Sequence, residues 1–437
     1  MRRNKNSSTS LIWYRNDLRT ADHSGLQAAC GNAQEVIAVY CIDPRQFGKD
    51  QYGFERTDAY RAQFLVETLN DLSRQLQDLG IPFMVTQGKP EDLIPAWIEE
   101  YRVDTIHYQE EWTRDEQQVS DEVFAKITED IEVIGHYDQF LFHPHDAPIR
   151  PDQVPEVFTA FRKKLERYAQ VRPPHKGLTR LGQNHAVLNP QLTIEDIGVV
   201  PKPADPRAAI QLKGGSQSAK KRLQHYFWNT KKLSYYKKTR NGLLGPDYSS
   251  KFSPWLANGS LSARTIYKQI KDYEQMHGSN QSTYWLIFEL IWRDYFKYIS
   301  LKHGNRIFFP SGINGKNQIG KVDQQVIQAW TQGRTNSDFV NANMIELAQT
   351  GWMSNRGRQV VASYFTKTLG LDWRIGAAWF ESQLVDYDVH SNYGNWLYVA
   401  GVGNDPRDRV FNPELQADRY DPDGRFRRTW LQPQLAL

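Results

Sequence analysis

Cysteine is nearly absent. Cys30 and Cys41 are the only two in 437 residues. This excludes a disulfide-framed secreted scaffold and a cysteine-rich metal centre, and fits a reducing compartment. No metal site is expected. Also missing is any apolar run near the ~18 residues that a membrane-spanning helix needs. The stretch Met1–Ser10 is basic and serine-rich but short for an organelle transit peptide. The apolar residues after it are interrupted by Arg15, Asp17 and Arg19, which argues against a secretory signal. A cytoplasmic, monomeric protein with no membrane partner is the expectation. There is no G-x-G-x-x-G turn and no G-x-x-x-x-G-K-[ST] loop, so the usual phosphate cradles are lacking. No repeat of solenoid period occurs.

The chain is short of excess charge, with a net +4. Locally the balance differs. Pro206 to Pro246 contains no Asp or Glu but ten Lys and Arg, among them Arg222, Lys237 and Arg240, interleaved with Tyr226, Phe227, Trp228, Tyr235 and Tyr236. Such a stretch suits an anionic partner. It reads equally as a solvated helical face.

What is present is ample core: 40% hydrophobic against 24% charged residues, over a length of two or three domains. Residues 10–137 alternate strand and helix patterns. Strands are expected at Ser10–Tyr14, Glu35–Ile42, Ile81–Thr86, Thr105–Tyr108 and Ile131–His136. Helices are expected at Gly25–Cys30, Arg56–Leu79, Pro90–Tyr101 and Asp115–Thr128. In the second of these, Phe64, Leu65, Leu69, Leu72, Leu76 and Leu79 recur at helical spacing. The βαβα order predicts a doubly wound, Rossmann-like parallel sheet over residues 1–137. Residues 138–205, interrupted by prolines, read as a connector with one helix near Glu156–Tyr168. Residues 206–437 read as all-helical, and ten of the thirteen tryptophans fall there.

Four clusters carry chemistry. Tyr248–Leu256 holds three serines just before a proline at a helix start, suited to phosphate, though serines there also serve as plain caps. In Phe288–Phe296, the residues Glu289, Trp292, Arg293 and Phe296 follow i, i+3, i+4, i+7 spacing. That spacing predicts one stripe able to stack and hydrogen-bond a flat heterocycle, or merely an amphipathic face. In Thr350–Gln359, Asn355 and Arg358 lie one turn apart. In Asp386–Trp396, Asp386 and Asp388 suit a sugar hydroxyl, a ring N–H or a cation.

Together with Leu11–Arg19, and in this order, these segments resemble the photolyase/cryptochrome family along nearly the whole chain, and its cryptochrome DASH branch in particular. The resemblance implies an α/β N-terminal domain, a connector and an all-α, photolyase-like domain that buries FAD. Carried over, Tyr236 and Ser249, Ser250, Lys251, Phe252 and Ser253 would hold the diphosphate and ribitol region. Arg293 would lie near the phosphates or the DNA-facing rim. Arg358 and Asp386 would pair beside the isoalloxazine, Asp388 would accept a hydrogen bond from the cofactor, and Asn392 would sit next to flavin N5. Glu289, Trp292 and Asn355 would contact a flipped pyrimidine dimer.

The implied activity is blue-light-driven repair of cyclobutane pyrimidine dimers by electron transfer from reduced FAD. The alternative is a photoreceptor that signals through a partner, with little repair. Gln359 and Tyr398 replace the Met and Trp of duplex-specific relatives, which predicts a preference for single-stranded DNA. Trp396 and Trp373 match two members of an electron-supplying tryptophan chain, whose distal position is here Gly320. Glu111, just after the fourth strand, matches the carboxylate that binds a methenyltetrahydrofolate antenna in some relatives.

Overall fold

The computed structural model describes residues 8–178, 190–316, 320–405, 407 and 409–432. Met1–Ser7 of the basic leader and residues 179–189 of the expected connector lie outside them. The first part runs β1 (Thr9–Trp13), α1 (Ser24–Asn32), β2 (Glu35–Ile42), α2 (Ala59–Leu79), β3 (Phe83–Gln87), α3 (Pro90–Tyr101), β4 (Thr105–Gln109), α4 (Arg114–Phe124) and β5 (Glu132–His136). All five expected strands and all four helices form, with ends shifted by a few residues. The Arg56–Leu79 helix starts later because Asp58 adopts extended backbone and caps it, accepting a hydrogen bond from the Ala59 N–H.

The strands form one parallel sheet in the order β3-β2-β1-β4-β5. Alternation along β1 and β2 sends side chains to two separate cores. Ile12, Val36, Ala38 and Ile42 pack with α1 and α2 through Leu26, Leu69 and Leu72. Leu11, Trp13, Ile37 and Val39 pack with α3 and α4 through Ile94, Trp97 and Val123. A sheet buried on both faces needs apolar residues at consecutive positions, which is why these strands read as unbroken runs. The chain moves outward from β1 to β3, then returns to place β4 on the other side of β1. A crevice therefore opens at the carboxyl ends of β1 and β4, the usual ligand position in such sheets.

The segment after β5 contains α5 (Phe158–Tyr168). It is pinned to the helical part by Asp294, whose carboxylate accepts from the N–H groups of Leu141 at 3.0 Å and Phe142 at 2.8 Å. The helices that follow are α6 (Ser216–Gln224), α7 (Tyr236–Thr239), α8 (Ser253–Ala257), α9 (Ala263–His277), α10 (Gln281–His303), α11 (Gln324–Thr331), α12 (Asp338–Thr350), α13 (Asn355–Ser363), α14 (Trp373–Gln383), α15 (Val389–Ala400), α16 (Pro413–Tyr420) and α17 (Arg425–Leu431).

Helix α10 is the central strut. A reciprocal Asn280–Thr283 capping box opens it, and it packs against α5, α7, α9 and α15. Buried Arg264 locks the sheet to the helices, pairing with Asp22 at 2.7 Å and Asp138 at 2.8 Å. Both cysteines are free. Among the described residues no helix is long and apolar enough to cross a membrane, and no cluster of three potential metal ligands occurs.

Candidate cofactor and substrate site

The helices enclose a cavity of about 290 Å³, walled by segments far apart in sequence. From the loop before α8 come Ser249, Ser250, Lys251 and Phe252, followed by Ser253 at the start of α8 and joined by Tyr236 of α7. Helix α10 supplies Glu289 and Arg293, α13 supplies Asn355, Arg358 and Gln359, and the turn into α15 supplies Asp386, Asp388, Asn392 and Trp396. The sequence clusters thus converge on one site.

The serine loop has no regular structure and is held from behind by Arg222. This buried guanidinium donates to the carbonyls of Pro246, Ser249 and Ser250 at 2.9–3.0 Å and pairs with Asp247 at 2.8 Å. Five guanidinium donors in a planar fork suit such multiple carbonyl capture. Lys251 lines the cavity with the rest of the segment, but its ammonium is engaged elsewhere. Its φ of 55° turns the side chain inward, over the rings of Tyr248 at 3.3 Å and Trp352 at 4.9 Å. Burial drives its proton affinity down, opposed by the nearby Glu346.

On the far wall Arg358 pairs with Asp386 at 2.9 Å and donates to the Met353 carbonyl at 2.9 Å. Asp388 caps α15 by accepting from the Ser391 N–H at 2.7 Å, and pairs with the buried Lys297 at 2.9 Å. Burial would raise the Asp388 carboxyl, but Lys297, His390 and Arg293 outweigh it and hold it well below the usual range. Asn392 is fixed by donating to the Ala377 carbonyl at 3.0 Å.

Glu289 is half-buried and paired with Arg240 at 2.8 Å. Burial raises its proton affinity and Arg240 opposes this. Asn355, the first residue of α13, is exposed where it borders the cavity. Arg293 donates to the carbonyls of Gln139 and Leu256 and borders both this cavity and a second one.

The stripe expected on α10 is only partly turned to the cavity: Glu289 and Arg293 line it, while Trp292 and Phe296, in contact with each other at 5.6 Å, do not. Trp292 stacks on Phe158 at 3.7 Å with 9° between planes, meets Tyr398 edge-on at 5.9 Å, and does not line the cavity. Tyr398 also lies outside it, under Arg409 at 5.9 Å. Phe296 is buried. Gln359 does line the cavity, and its buried carbonyl oxygen has no partner among the described residues.

A smaller cavity of about 160 Å³ lies at the carboxyl ends of the strands, against the helices, and includes Glu111, Gln109, Arg293, Lys297 and Asp388. Glu111 accepts from Gln109 at 2.7 Å. Burial pushes its carboxyl up to about 7, against the pull of Arg15 and Lys297.

Residues 285–436 match the FAD binding domain of DNA photolyase, and residues 10–178 match DNA photolyase. A cryptochrome DASH of Gloeobacter violaceus is 48% identical over 433 residues, covering 98% of this chain and 86% of the relative. This chain belongs to the cryptochrome DASH branch of the photolyase/cryptochrome family. Its fold agrees. A Synechocystis sp. PCC6803 cryptochrome superposes with a TM-score of 0.91 at 44% identity, covering 97% and 88% of the two chains. A class III photolyase from Agrobacterium tumefaciens gives 0.82 at 26% identity, covering 99% and 88%.

The cavity's donor set fits the FAD of the family. Serine hydroxyls, the Arg358–Asp386 pair and the fixed Asn392 amide line the cavity together with Leu286, Phe380 and Trp396. The orphaned Gln359 oxygen needs a donor from whatever fills the space.

Sequence reasoning missed Arg222, Arg240, Lys297 and Glu346. The first two lay in the acid-free stretch, where their partners were invisible. Glu346 is fully enclosed beside Lys251, and burial lifts its carboxyl to about 8. A folded-state value above the unfolded ~4.3 gives stability that is full below the unfolded value and lost as pH rises through about 8. Glu346→Gln has no proton to lose. Its melting temperature relative to wild type should therefore climb by several degrees between mildly acidic and mildly alkaline buffer. A constant difference across that range would refute the assignment.

Gly320 presses on the backbone of Leu371 and Asp372, so that an added Cβ would collide with it. Flanking hydrogen bonds join Lys321 to the Gly370 carbonyl at 2.8 Å and Asp372 to the Lys321 carbonyl at 3.0 Å. No side chain fits there. Gly320→Trp should lower the melting temperature markedly, as calorimetry would show.

Proposed function

We propose that this chain is a blue-light-activated FAD protein that binds DNA and repairs cyclobutane pyrimidine dimers, mainly in single strands. Reduced FAD, when bound, supplies the photoexcited electron that splits the dimer. The chain's residues bind, orient and exclude water. Ser249, Ser250, Ser253 and Tyr236 would hold the diphosphate and ribitol end. Arg358, Asp386 and Asn392 would hold the ring system, and Asp388 would accept a hydrogen bond from the cofactor. Asn392 cannot titrate, so it places a neutral dipole against the ring. Glu289, oriented by Arg240, and Asn355 would meet the dimer's polar edge.

The observation that carries the strand preference is Gln359 at the cavity wall, with Tyr398 outside it beside the half-buried Trp292, one face of which stacks on Phe158. Gln359 meanwhile presents a bare amide oxygen at the wall. A polar amide there stacks less on a flipped dimer than an apolar side chain would, while leaving a duplex costs a few kcal/mol. A single strand needs no unpairing, and polar contacts suffice. Glu111, with Gln109 and Arg293, would hold a 5,10-methenyltetrahydrofolate antenna in the second cavity.

The test is illumination of purified, reduced protein with a dimer-bearing oligonucleotide. Restored thymines are expected. No repair with FAD bound and reduced would replace this reading with that of a photoreceptor.

A further inference from the structure

Trp396 borders the main cavity and is almost wholly buried. An electron drawn from it must be replaced from outside. Among the described residues two directions lead away from it. One leads to Trp330, 6.4 Å away, which is fully buried among Phe365 and Phe380 and ends there. The other leads to α14. The Trp396 indole lies against Gly376, where no Cβ would fit, and Trp373 stands one turn earlier on the same helix.

Among the described residues Trp373 meets the ring of Tyr393 edge-on, at 6.0 Å and 82°. Gly320 closes the direction in which another indole would be sought, because backbone fills the space beside it. Tyr393 is half-buried. It borders a cavity of about 670 Å³ between the sheet domain and the helices, together with Tyr52, Arg56, Asp115, Glu116 and Glu381. Glu381 is held by Arg56 at 3.1 Å, and its charge acts on the Tyr393 phenol.

Resting on the light-driven reading above, we propose that Tyr393 is the terminal electron donor of this chain. When the hole on Trp396 reaches Trp373, one electron passes from Tyr393 to the Trp373 radical cation and restores the neutral indole. The phenolic proton goes to the carboxylate-lined cavity that Tyr393 borders with Asp115, Glu116 and Glu381. A neutral phenoxyl radical remains at the cavity wall. A soluble thiol then returns a hydrogen atom to it, becoming a thiyl radical. Loss of the proton prevents the electron from falling back, as a buried indole alone would not.

The experiment is time-resolved absorption and electron paramagnetic resonance on the flavin-loaded protein, with ring-deuterated tyrosine to identify the radical. In wild type the tryptophan radical should decay into a tyrosyl radical. Tyr393→Phe keeps the ring contacts, and should lose the tyrosyl signal and leave a longer-lived tryptophan radical. Tyr52→Phe and Tyr387→Phe should keep the tyrosyl signal. Survival of that signal in Tyr393→Phe, or its loss in either control, overturns the assignment while leaving the repair reading intact. Absence of any tryptophan radical in wild type overturns the light-driven reading and this inference together.

Discussion

Replacing Glu289 by Ala should reduce repair of a dimer-bearing single strand about tenfold to a hundredfold, without loss of bound flavin. The carboxylate lies at the end of an Arg240 salt bridge of 2.8 Å, half-buried at the cavity wall. A hydrogen bond to a charged group contributes about 1.5–3 kcal/mol, and each ~1.4 kcal/mol is tenfold in a rate or equilibrium constant. The Arg240 partner sharpens the prediction. Arg240→Met should also weaken repair, because Glu289 would then be free to protonate as burial favours. The measurement is initial repair rate per absorbed photon, with flavin content read from the visible spectrum. Unchanged rates in both variants would remove Glu289 from the substrate site.

Replacing Lys297 by Met should destabilise the protein by about 3–5 kcal/mol, since it strands a buried carboxylate. Lys297 and Asp388 are 3% and 10% exposed at the side chain and 2.9 Å apart. Asp388 also caps α15, so its charge state is tied to the helix that carries Asn392 and Trp396. The folded Asp388 carboxyl is depressed, so its contribution is present above the ordinary value of ~3.9 and is lost as pH falls. Wild type should therefore lose stability on acidification in a way that Lys297→Met does not. Adding Asp388→Asn to Lys297→Met should recover part of the loss. Denaturant titration over a pH series reads both effects. A double variant less stable than the single would show that the pair is not what Lys297 contributes.

Much of the fold was legible because periodicity is a local property. The α2 stripe from Phe64 to Leu76 is buried as its spacing requires, with Leu65 and Leu79 at its edge. The serine loop, the Asn355–Gln359 turn and the Asp386–Trp396 segment were each recognisable, and they meet at one cavity. What sequence could not show were the orientations fixed by distant contacts. Trp292 faces Phe158, a residue 134 positions earlier, and nothing in the α10 pattern signals that partner. Lys251 read as part of a hydroxyl-rich ligand loop, yet its positive φ sends the ammonium toward Tyr248, Trp352 and Glu346. The acid-free stretch read as one electropositive surface. Arg222 and Arg240 instead use their charges internally, while Lys213, Lys220, Lys221, Lys231 and Lys238 remain exposed.

The most direct measurement compares repair of one thymine-dimer sequence as a single strand and as a perfect duplex, by the same reduced, illuminated protein. The polar Gln359 wall, with Tyr398 outside the cavity, predicts efficient repair of the single strand and little of the duplex. Equal repair of both would contradict the account, because a polar wall would then compensate unpairing as well as an apolar one.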